Sequence, residues 1–442
     1  MNNRNFARGT AVTFCVGILN LLLGMGTSVI LARILGPEGN GAYYIALLLP
    51  SFIITFVNVG IGPATVYYVA RGEFRWQEIL GNNVLLSIAI SVAGILTGLI
   101  VVIFFREIVF PGIMTEYLLL ALVLVPLEIF FSYLHYILLG AQRIEDYNYA
   151  QVCQSVLFFG FVFIALFLFR AGVAGAILAG IFTWIIVDLI ILRLTKKIAG
   201  GINFKPNICY IKRASKYGIQ AHISNILGFL NYRIDMVLVN FFLGPAAVGL
   251  YAVGVGLVER LWIISQSAST VLFPIVSAET NERSRKDFTP LVARTVMWIT
   301  TLGALAFVFF SRYIVLLLYS EKFLPTVGAL QALLPGIIAL SAGRVLANDI
   351  AGRGFPRLNI YSGVAAVITN VALNLLWIPT YGIVGAAWAS TVSYVASFLC
   401  FIYFYSKLSG NRWSIVVLPQ KGDFSLYWKS AKATFKWVCW WR

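Results

Sequence analysis

Acidic residues are scarce in this chain: 17 of 442, against 33 lysines and arginines, with charged residues of both signs making up only 11%. A soluble domain carries about 25% charged residues, so a water-soluble globular fold is excluded. Histidine occurs twice and cysteine five times, the cysteines scattered at 15, 153, 209, 400 and 439. Such spacing supplies neither a disulfide framework nor a zinc site. The chain has no GxxxxGK[ST], GxSxG, HExxH or DxD-like loop. Their absence argues against an enzyme and against ATP-driven transport by this chain itself. The net charge of +16 would suit nucleic acid, but there is no soluble domain and no aromatic–basic motif to carry it. Basic loops that orient a membrane protein account for the charge instead.

Apolar sequence is what the chain has in abundance, 60% hydrophobic with mean hydropathy +0.87. A membrane span needs about 20 predominantly apolar residues. Twelve segments qualify, at roughly 10–34, 41–69, 79–105, 114–139, 147–169, 172–194, 213–242, 247–277, 290–318, 327–350, 358–378 and 382–406. The basic start, Met1 to Arg8, resembles a secretory signal, but the apolar run behind it is too long and lacks a small-x-small cleavage site, so it reads as a retained first span. With twelve spans the loops alternate sides. One side then collects 25 of the 33 basic residues, including Lys196, Lys197, Arg283 and Arg285; the other holds only Arg33, Arg106, Arg170, Arg312 and Lys322. The positive-inside rule places both termini in the cytoplasm.

The chain is also duplicated. Leu35-Gly36-Pro37-Glu38-Gly39-Asn40-Gly41-Ala42-Tyr43 returns as Leu243-Gly244-Pro245-Ala246-Ala247-Val248-Gly249-Leu250-Tyr251, 208 positions later. Gly172-Val173-Ala174-Gly175-Ala176 returns as Gly382-Ile383-Val384-Gly385-Ala386, 210 later. Two markers at one spacing indicate repeats of about 210 residues, a construction common in secondary transporters. An even number of spans per repeat makes the repeats parallel. The fold expected is therefore an all-α integral membrane protein of twelve transmembrane helices in two parallel six-helix repeats: an N-lobe at 1–194, a cytoplasmic linker at 195–212, a C-lobe at 213–407 and a tail at 408–442. In that tail Phe424, Tyr427, Trp428, Ala431, Phe435 and Val438 recur at helical spacing opposite Lys429, Lys432 and Lys436, which reads as an interfacial helix on the anionic cytoplasmic leaflet.

Polar residues inside spans are costly and face a partner or a wet cavity. In the seventh span Gln220, Ser224, Gly228, Asn231 and Asp235 share one helical face, with His222, Asn225 and Arg233 on adjoining faces. The first span carries Thr13, Gly17, Asn20, Gly24 and Thr27, the second Ser51, Thr55, Asn58, Gly62 and Thr65, and the eighth Glu259, Gln266 and Thr270. Stripes on spans 1, 2, 7 and 8 point to a central cavity; close packing through small residues is the alternative. Arg233 and Arg260 fall near mid-depth, beside Asp235 and Glu259. They either neutralise those acids or present a fork to an anion. For Arg344, near Asp349, a structural or entry role is expected. Glu128 and His135 in the fourth span and Asp188 in the sixth either relay a proton or sodium ion or bond a neighbouring helix.

The stretch Leu31-Ala32-Arg33-Ile34 followed by the first LGP motif resembles the N-terminal signature of Wzx-type polysaccharide flippases of the multidrug/oligosaccharidyl-lipid/polysaccharide exporter superfamily. Tyr232-Arg233-Ile234-Asp235, Leu243-Gly244-Pro245, Gly249-Leu250-Tyr251 and Leu272-Phe273-Pro274 are similar to the family's central block. Asn370-Val371-Ala372-Leu373-Asn374, Ile378-Pro379 and Tyr381 to Ala387 are similar to its C-terminal block. The resemblance implies a MATE-like fold of two six-helix lobes in a V. It implies a cytoplasmic-membrane protein that exports polyprenyl-pyrophosphate-linked oligosaccharide by alternating access, with glycan polymerases or glycosyltransferases as partners, no cofactor, and H+ or Na+ as coupling ion. Cavity candidates for substrate are Arg233, Arg260, Asn231, Gln220, Asn20 and Asn58; coupling candidates are Asp235, Glu259, Glu128 and Asp188. Two relatives in the superfamily stay open as alternatives. Lipid II flippases usually have fourteen spans and an Arg-Asp pair midway along the first, where this chain has Thr27-Ser28. Cation-coupled drug antiporters rely on membrane acids, which the same four acids would supply. A membrane glycan polymerase or ligase would need a large external loop, and none is present.

Overall fold

In the computed structural model, residues 3–263, 265, 266, 268, 282–420 and 423 are described. The described residues form helices and connecting turns, without a strand. The helices are α1 (Asn3–Val57), α2 (Ile61–Arg71), α3 (Trp76–Ile100), α4 (Arg106–Val109), α5 (Thr115–Leu122), α6 (Leu124–Gly140), α7 (Ile144–Phe163), α8 (Gly172–Ala199), α9 (Ile208–Leu243), α10 (Pro245–Glu259), α11 (Glu282–Tyr319), α12 (Thr326–Gly352), α13 (Arg357–Ser409) and α14 (Trp413–Val417). Nine continuous helical stretches among the described residues are long and apolar enough to cross a membrane. Two of them, α1 and α13, each fold back on a glycine and hold two spans: at Gly36 (φ 68°, ψ −179°) and at Gly382 (φ 61°, ψ −142°). The shorter apolar α10 lies at the start of the expected eighth span, whose later part falls largely outside the described residues.

The turn glycines repeat with the sequence. Gly244, at φ 80° and ψ 178°, matches Gly36; Gly172, at φ 60°, matches Gly382. These conformations are nearly closed to residues with a Cβ, so the duplicated motifs encode duplicated backbone turns. Pro37 and Pro245 follow at the first helical position, where a missing N–H costs nothing.

Several boundaries differ from the sequence expectation. The second span is not one helix over 41–69: it breaks at Asn58–Gly60, where Gly60 is left-handed at φ 71°. A Cβ on Gly60 would come 2.8 Å from the carbonyl carbon of Gly218, so the two backbones touch here. The eighth span is not continuous either, since α10 ends at Glu259 and turn-type bonds follow, Arg260 N to Leu257 O and Leu261 N to Val258 O. The sixth span extends to Ala199. The expected tail helix over 424–438 and the Leu272-Phe273-Pro274 block lie outside the described residues.

The chain divides into two compact units. One comprises Met1–Gly256, Arg312–Leu330 and Val371–Ala386; the other Leu257–Ser311, Gln331–Asn370 and Ala387–Arg442. In the first, α1 packs on α3, α5, α7, α8 and α9, and α6 packs on α2, α3 and α8, enclosing Leu80, Ile129, Tyr133 and Leu134. In the second, Val296, Leu346, Phe401, Tyr405 and Val416 belong to one buried cluster. Outward, the helices show apolar side chains: Phe104 is 72% exposed, Phe309 72% and Leu317 74%. Side chains of this kind suit hydrocarbon as solvent.

Candidate functional site

Within the first unit, the polar stripes divide into a packed part and an open part. On α9, Asn231, Asp235 and Asn240 are buried, whereas Ser224 and Gly228 are half-buried. Asp235 is held by Tyr251, whose hydroxyl donates to Oδ2 at 2.7 Å, while the amide of Met236 donates to Oδ1 at 2.8 Å. The tyrosine that closes the second LGP motif thus secures the acid of the seventh span. Asn240 donates to the Pro111 carbonyl at 3.1 Å. On α1, Ser51, Thr55, Gly17, Asn20 and Gly24 are half-buried, and Gly17 has open space where a side chain would be. Phe52 meets Phe229 edge to face at 5.0 Å, joining the second and seventh spans. Arg233 is half-buried on α9 and donates to the Tyr232 carbonyl at 3.3 Å.

Nearer the basic ends of the same helices lies a polar network that sequence reasoning missed. Tyr210 OH donates to Asn83 Oδ1 at 2.8 Å; Asn83 Nδ2 donates to Thr65 Oγ1 at 3.0 Å and to the Tyr133 carbonyl at 3.2 Å. Tyr133 OH reaches Asn58 Oδ1 at 3.3 Å, and that oxygen also receives the Gly60 amide at 3.3 Å. Asn58 therefore caps the break in the second span. The segment before α9 is pinned as well: Asn207 N donates to Asn82 Oδ1 at 2.8 Å and Asn82 Nδ2 to the Lys205 carbonyl at 3.4 Å. Buried polar groups of this sort must be paired, and here the bonds tie α9 and the segment before it to α3, and α3 and α6 to the second span.

The acids of the fourth and sixth spans are differently placed. Glu128 lies within electrostatic range of Asp188. Asp188 is 8% exposed, and its Oδ1 accepts no hydrogen bond among the described residues. His135 instead stacks on Tyr147 at 3.8 Å and on Phe131 at 4.7 Å, with Nε2 3.1 Å from the Tyr147 carbonyl. These contacts make His135 a packing residue. Among the described residues no group of three potential ligands could hold a metal ion.

In the second unit, Arg260 and Glu259 sit at the end of α10, both half-buried. Arg344 lies over the Trp262 ring at 4.1 Å, a cation–π contact. Asp349 pairs with Arg353 (2.5 Å) and accepts from Thr289 (2.7 Å), a partnership the proximity of Asp349 to Arg344 in sequence had not suggested. Gln266 is exposed; the side chain of Gln220, like Thr270, falls outside the described residues.

A family model described as "Polysaccharide biosynthesis protein" matches residues 6–279. The chain belongs to the polysaccharide biosynthesis protein family. A membrane protein of Methanocaldococcus jannaschii, uncharacterized by name, is 25% identical over 421 residues, covering 87% of this chain and 82% of its own. A Shigella flexneri protein named for O-antigen transport is 24% identical over 397 residues, 86% of this chain and 92% of that one. Among solved structures, the lipid II flippase MurJ in an inward closed conformation superposes with TM-score 0.74 at 16% identity, over 90% of this chain and 87% of that chain. At such identity the likeness is one of fold. The chain is a multi-pass membrane protein that shares the fold of this flippase.

Proposed function

We propose that this member of the polysaccharide biosynthesis family carries a polyprenyl-pyrophosphate-linked oligosaccharide from the cytoplasmic to the outer leaflet of the cell membrane, by alternating access of two six-span lobes at 1–194 and 213–407. The observation that carries the proposal is the open polar strip of the first unit. Asn20, Ser51, Thr55, Ser224 and Gly228 stay half-exposed on helices whose other faces are apolar or packed. Polar side chains left only partly covered at mid-span suit a wet path rather than lipid. The basic loops face the cytoplasm, so the LGP turns face outward. Arg233 and Arg260 meet the pyrophosphate, because two negative charges entering a low-dielectric path need cationic forks. Glu128 and Asp188 take up the coupling proton or sodium ion.

The test is export of a lipid-linked glycan in cells and in proteoliposomes. Arg233→Ala and Arg260→Ala should each lower it tenfold or more, since a charge-assisted bond is worth about 1.5–3 kcal/mol, and lysine should rescue only partly. If pairing the substitutions with Glu259→Gln or Asp235→Asn restores full export, the arginines only neutralise acids and the pyrophosphate is held elsewhere. A variant-insensitive efflux of cationic dyes, without glycan export, would favour a drug antiporter.

A further inference from the structure

The two LGPxxxGxY copies are in contact with each other, and the contact is reciprocal. A Cβ built on Gly41 would strike the Pro245 carbonyl and stand 2.8 Å from the Gly249 amide nitrogen. A Cβ built on Gly249 would strike the Pro37 carbonyl and stand 2.9 Å from the Gly41 amide nitrogen. Gly41 and Gly249, like Pro37 and Pro245, are separated by the repeat offset of 208. Residue i of one copy therefore touches residue j of the other, and j touches i, as in a twofold interface. Real Cβ atoms do not approach backbone this closely, so only glycine fits at either position. Asn40, fully buried, adds one side-chain bond, Nδ2 to the Gly249 carbonyl at 3.2 Å. The surround belongs to the same compact unit: Arg33 Nε donates to the Leu318 carbonyl at 2.7 Å, and Thr326 Oγ1 to the Leu250 carbonyl at 2.9 Å.

We infer that the duplicated motif is one device: each repeat's turn is the seat of the other, and together they form the separable seal at the end of the transport path away from the basic loops. The inference rests on the transport reading for its purpose. Its geometry suits a seal that opens. The faces are flat glycine-backed backbone, with no ion pair and one neutral hydrogen bond across Gly41 and Gly249 among the described residues; around them, bonds to backbone carbonyls such as Arg33 to Leu318 and Asn240 to Pro111 must also break. Interlocked side chains would resist parting; two backbones at glycines part without repacking.

Glu38 and Ala246 occupy equivalent, exposed positions in the two copies, so nitroxides on cysteines placed there (in a chain with its five native cysteines replaced) report the seal. In lipid nanodiscs, electron–electron distance measurements should give a short population and a second one longer by about 10 Å or more. Gly41→Ala should move the distribution wholly to the longer one. A single short distance in both proteins would overturn the inference, whether or not the protein transports. In proteoliposomes, a short reducible bis-methanethiosulfonate bridge between the two cysteines should cut flipping of a fluorescent undecaprenyl-pyrophosphate oligosaccharide at least tenfold, with recovery on reduction. Undiminished flipping by the bridged protein would show the contact to be permanent packing. No flipping by the unbridged protein, with two distances still present, would remove the transport reading and leave the separable seal standing.

Discussion

Arg294 and Asp423 offer the most quantitative perturbation. Arg294 donates Nε to Asp423 Oδ2 at 2.6 Å, Nη2 to Oδ1 and Nη1 to the Ile415 carbonyl at 2.6 Å. The side chains are 6% and 7% exposed. The fork clips the segment after α13 onto the basic end of α11, helped by Asn411, whose Nδ2 reaches the Lys286 carbonyl at 2.8 Å and Tyr405 OH at 3.0 Å. Removing one member of a buried pair leaves an unmatched charge and costs about 3–5 kcal/mol. The segment can undock without unfolding the helices, so the cost falls on local opening. Taking the lower figure, Arg294→Ala should raise the opening constant of residues 411–418 about a hundredfold, at roughly 1.4 kcal/mol per factor of ten. Hydrogen exchange read by mass spectrometry at pH 7 measures this directly. Arg294→Met with Asp423→Leu should return most of the protection, since an apolar pair of similar volume often replaces a buried ion pair without loss. The pH dependence follows from the same contacts. Burial pushes the Asp423 carboxyl up, but Arg294 and the Gln420 amide outweigh it and hold the group below the ordinary aspartate range. A depressed folded-state pKa gives stability that is present above the unfolded value, about 3.9, and lost as pH falls through the folded one. Protection should therefore be flat from pH 5 to 8 and fail only in stronger acid. Unchanged exchange in Arg294→Ala at pH 7 would refute the reasoning.

Tyr251→Phe deprives Asp235 of its 2.7 Å donor; a bond to a carboxylate is worth about 1.5–3 kcal/mol, so the unfolding temperature in detergent should drop, while Tyr43→Phe, whose motif position is the same but whose ring packs on Tyr44, should show no equivalent loss through an acid. Asp188→Asn and Glu128→Gln should each uncouple glycan export from an imposed ion gradient while leaving downhill exchange measurable; wild-type gradient dependence in both would leave the fourth and sixth spans with a structural role. Cysteine labelling with an impermeant maleimide should find positions 197 and 285 inside and 37 and 245 outside, and outside labelling at 197 would reverse the orientation.

The sequence was most legible where chemistry constrains the backbone itself. Gly36 and Gly244 could be paired by offset because both turns need a conformation only glycine adopts readily, and the helices between such turns follow from hydropathy. It was least legible where two satisfied partners lie far apart in the chain. Asn83, Thr65, Tyr133 and Tyr210 looked like unrelated polar residues on different spans, and nothing in their local pattern announces a shared network. The break at Asn58–Gly60 was hidden for a related reason: an Asn two residues before a Gly is a capping signal, but inside an apolar run it read as part of a continuous polar stripe. Arg294 and Asp423 escaped notice because Arg294, at the basic end of the ninth span, counts among the charges that orient the chain, and Asp423 sits in a basic tail where charge is expected to be solvated.

Polar residues inside membrane spans can be sorted by whether their partners are complete. Asp235 has Tyr251 and its neighbouring amide, Asn83 has three partners, and Asp349 has Arg353 and Thr289. Groups so satisfied are already explained by the cost of burying them alone, and a ligand binding there would have to break what the fold has made. Two of the candidate site residues stand otherwise: Asn20 Oδ1 on the first span and Asp188 Oδ1 on the sixth are buried and accept no hydrogen bond among the described residues, a state they share with oxygens outside the candidate set such as Asn40, Asn148 and Asn240 Oδ1. A buried acceptor left open costs about 1–3 kcal/mol, a cost that a binding event can recover. By that criterion Asn20 moves ahead of Asn58 as a substrate contact, and Asp188 ahead of Asp235 as a coupling group. Asn20→Ala should therefore impair export without destabilising the protein, whereas Asn58→Ala should destabilise α2 first and lose export only as a consequence. Equal thermal destabilisation by both substitutions would show that partner completeness does not separate function from fold in this chain.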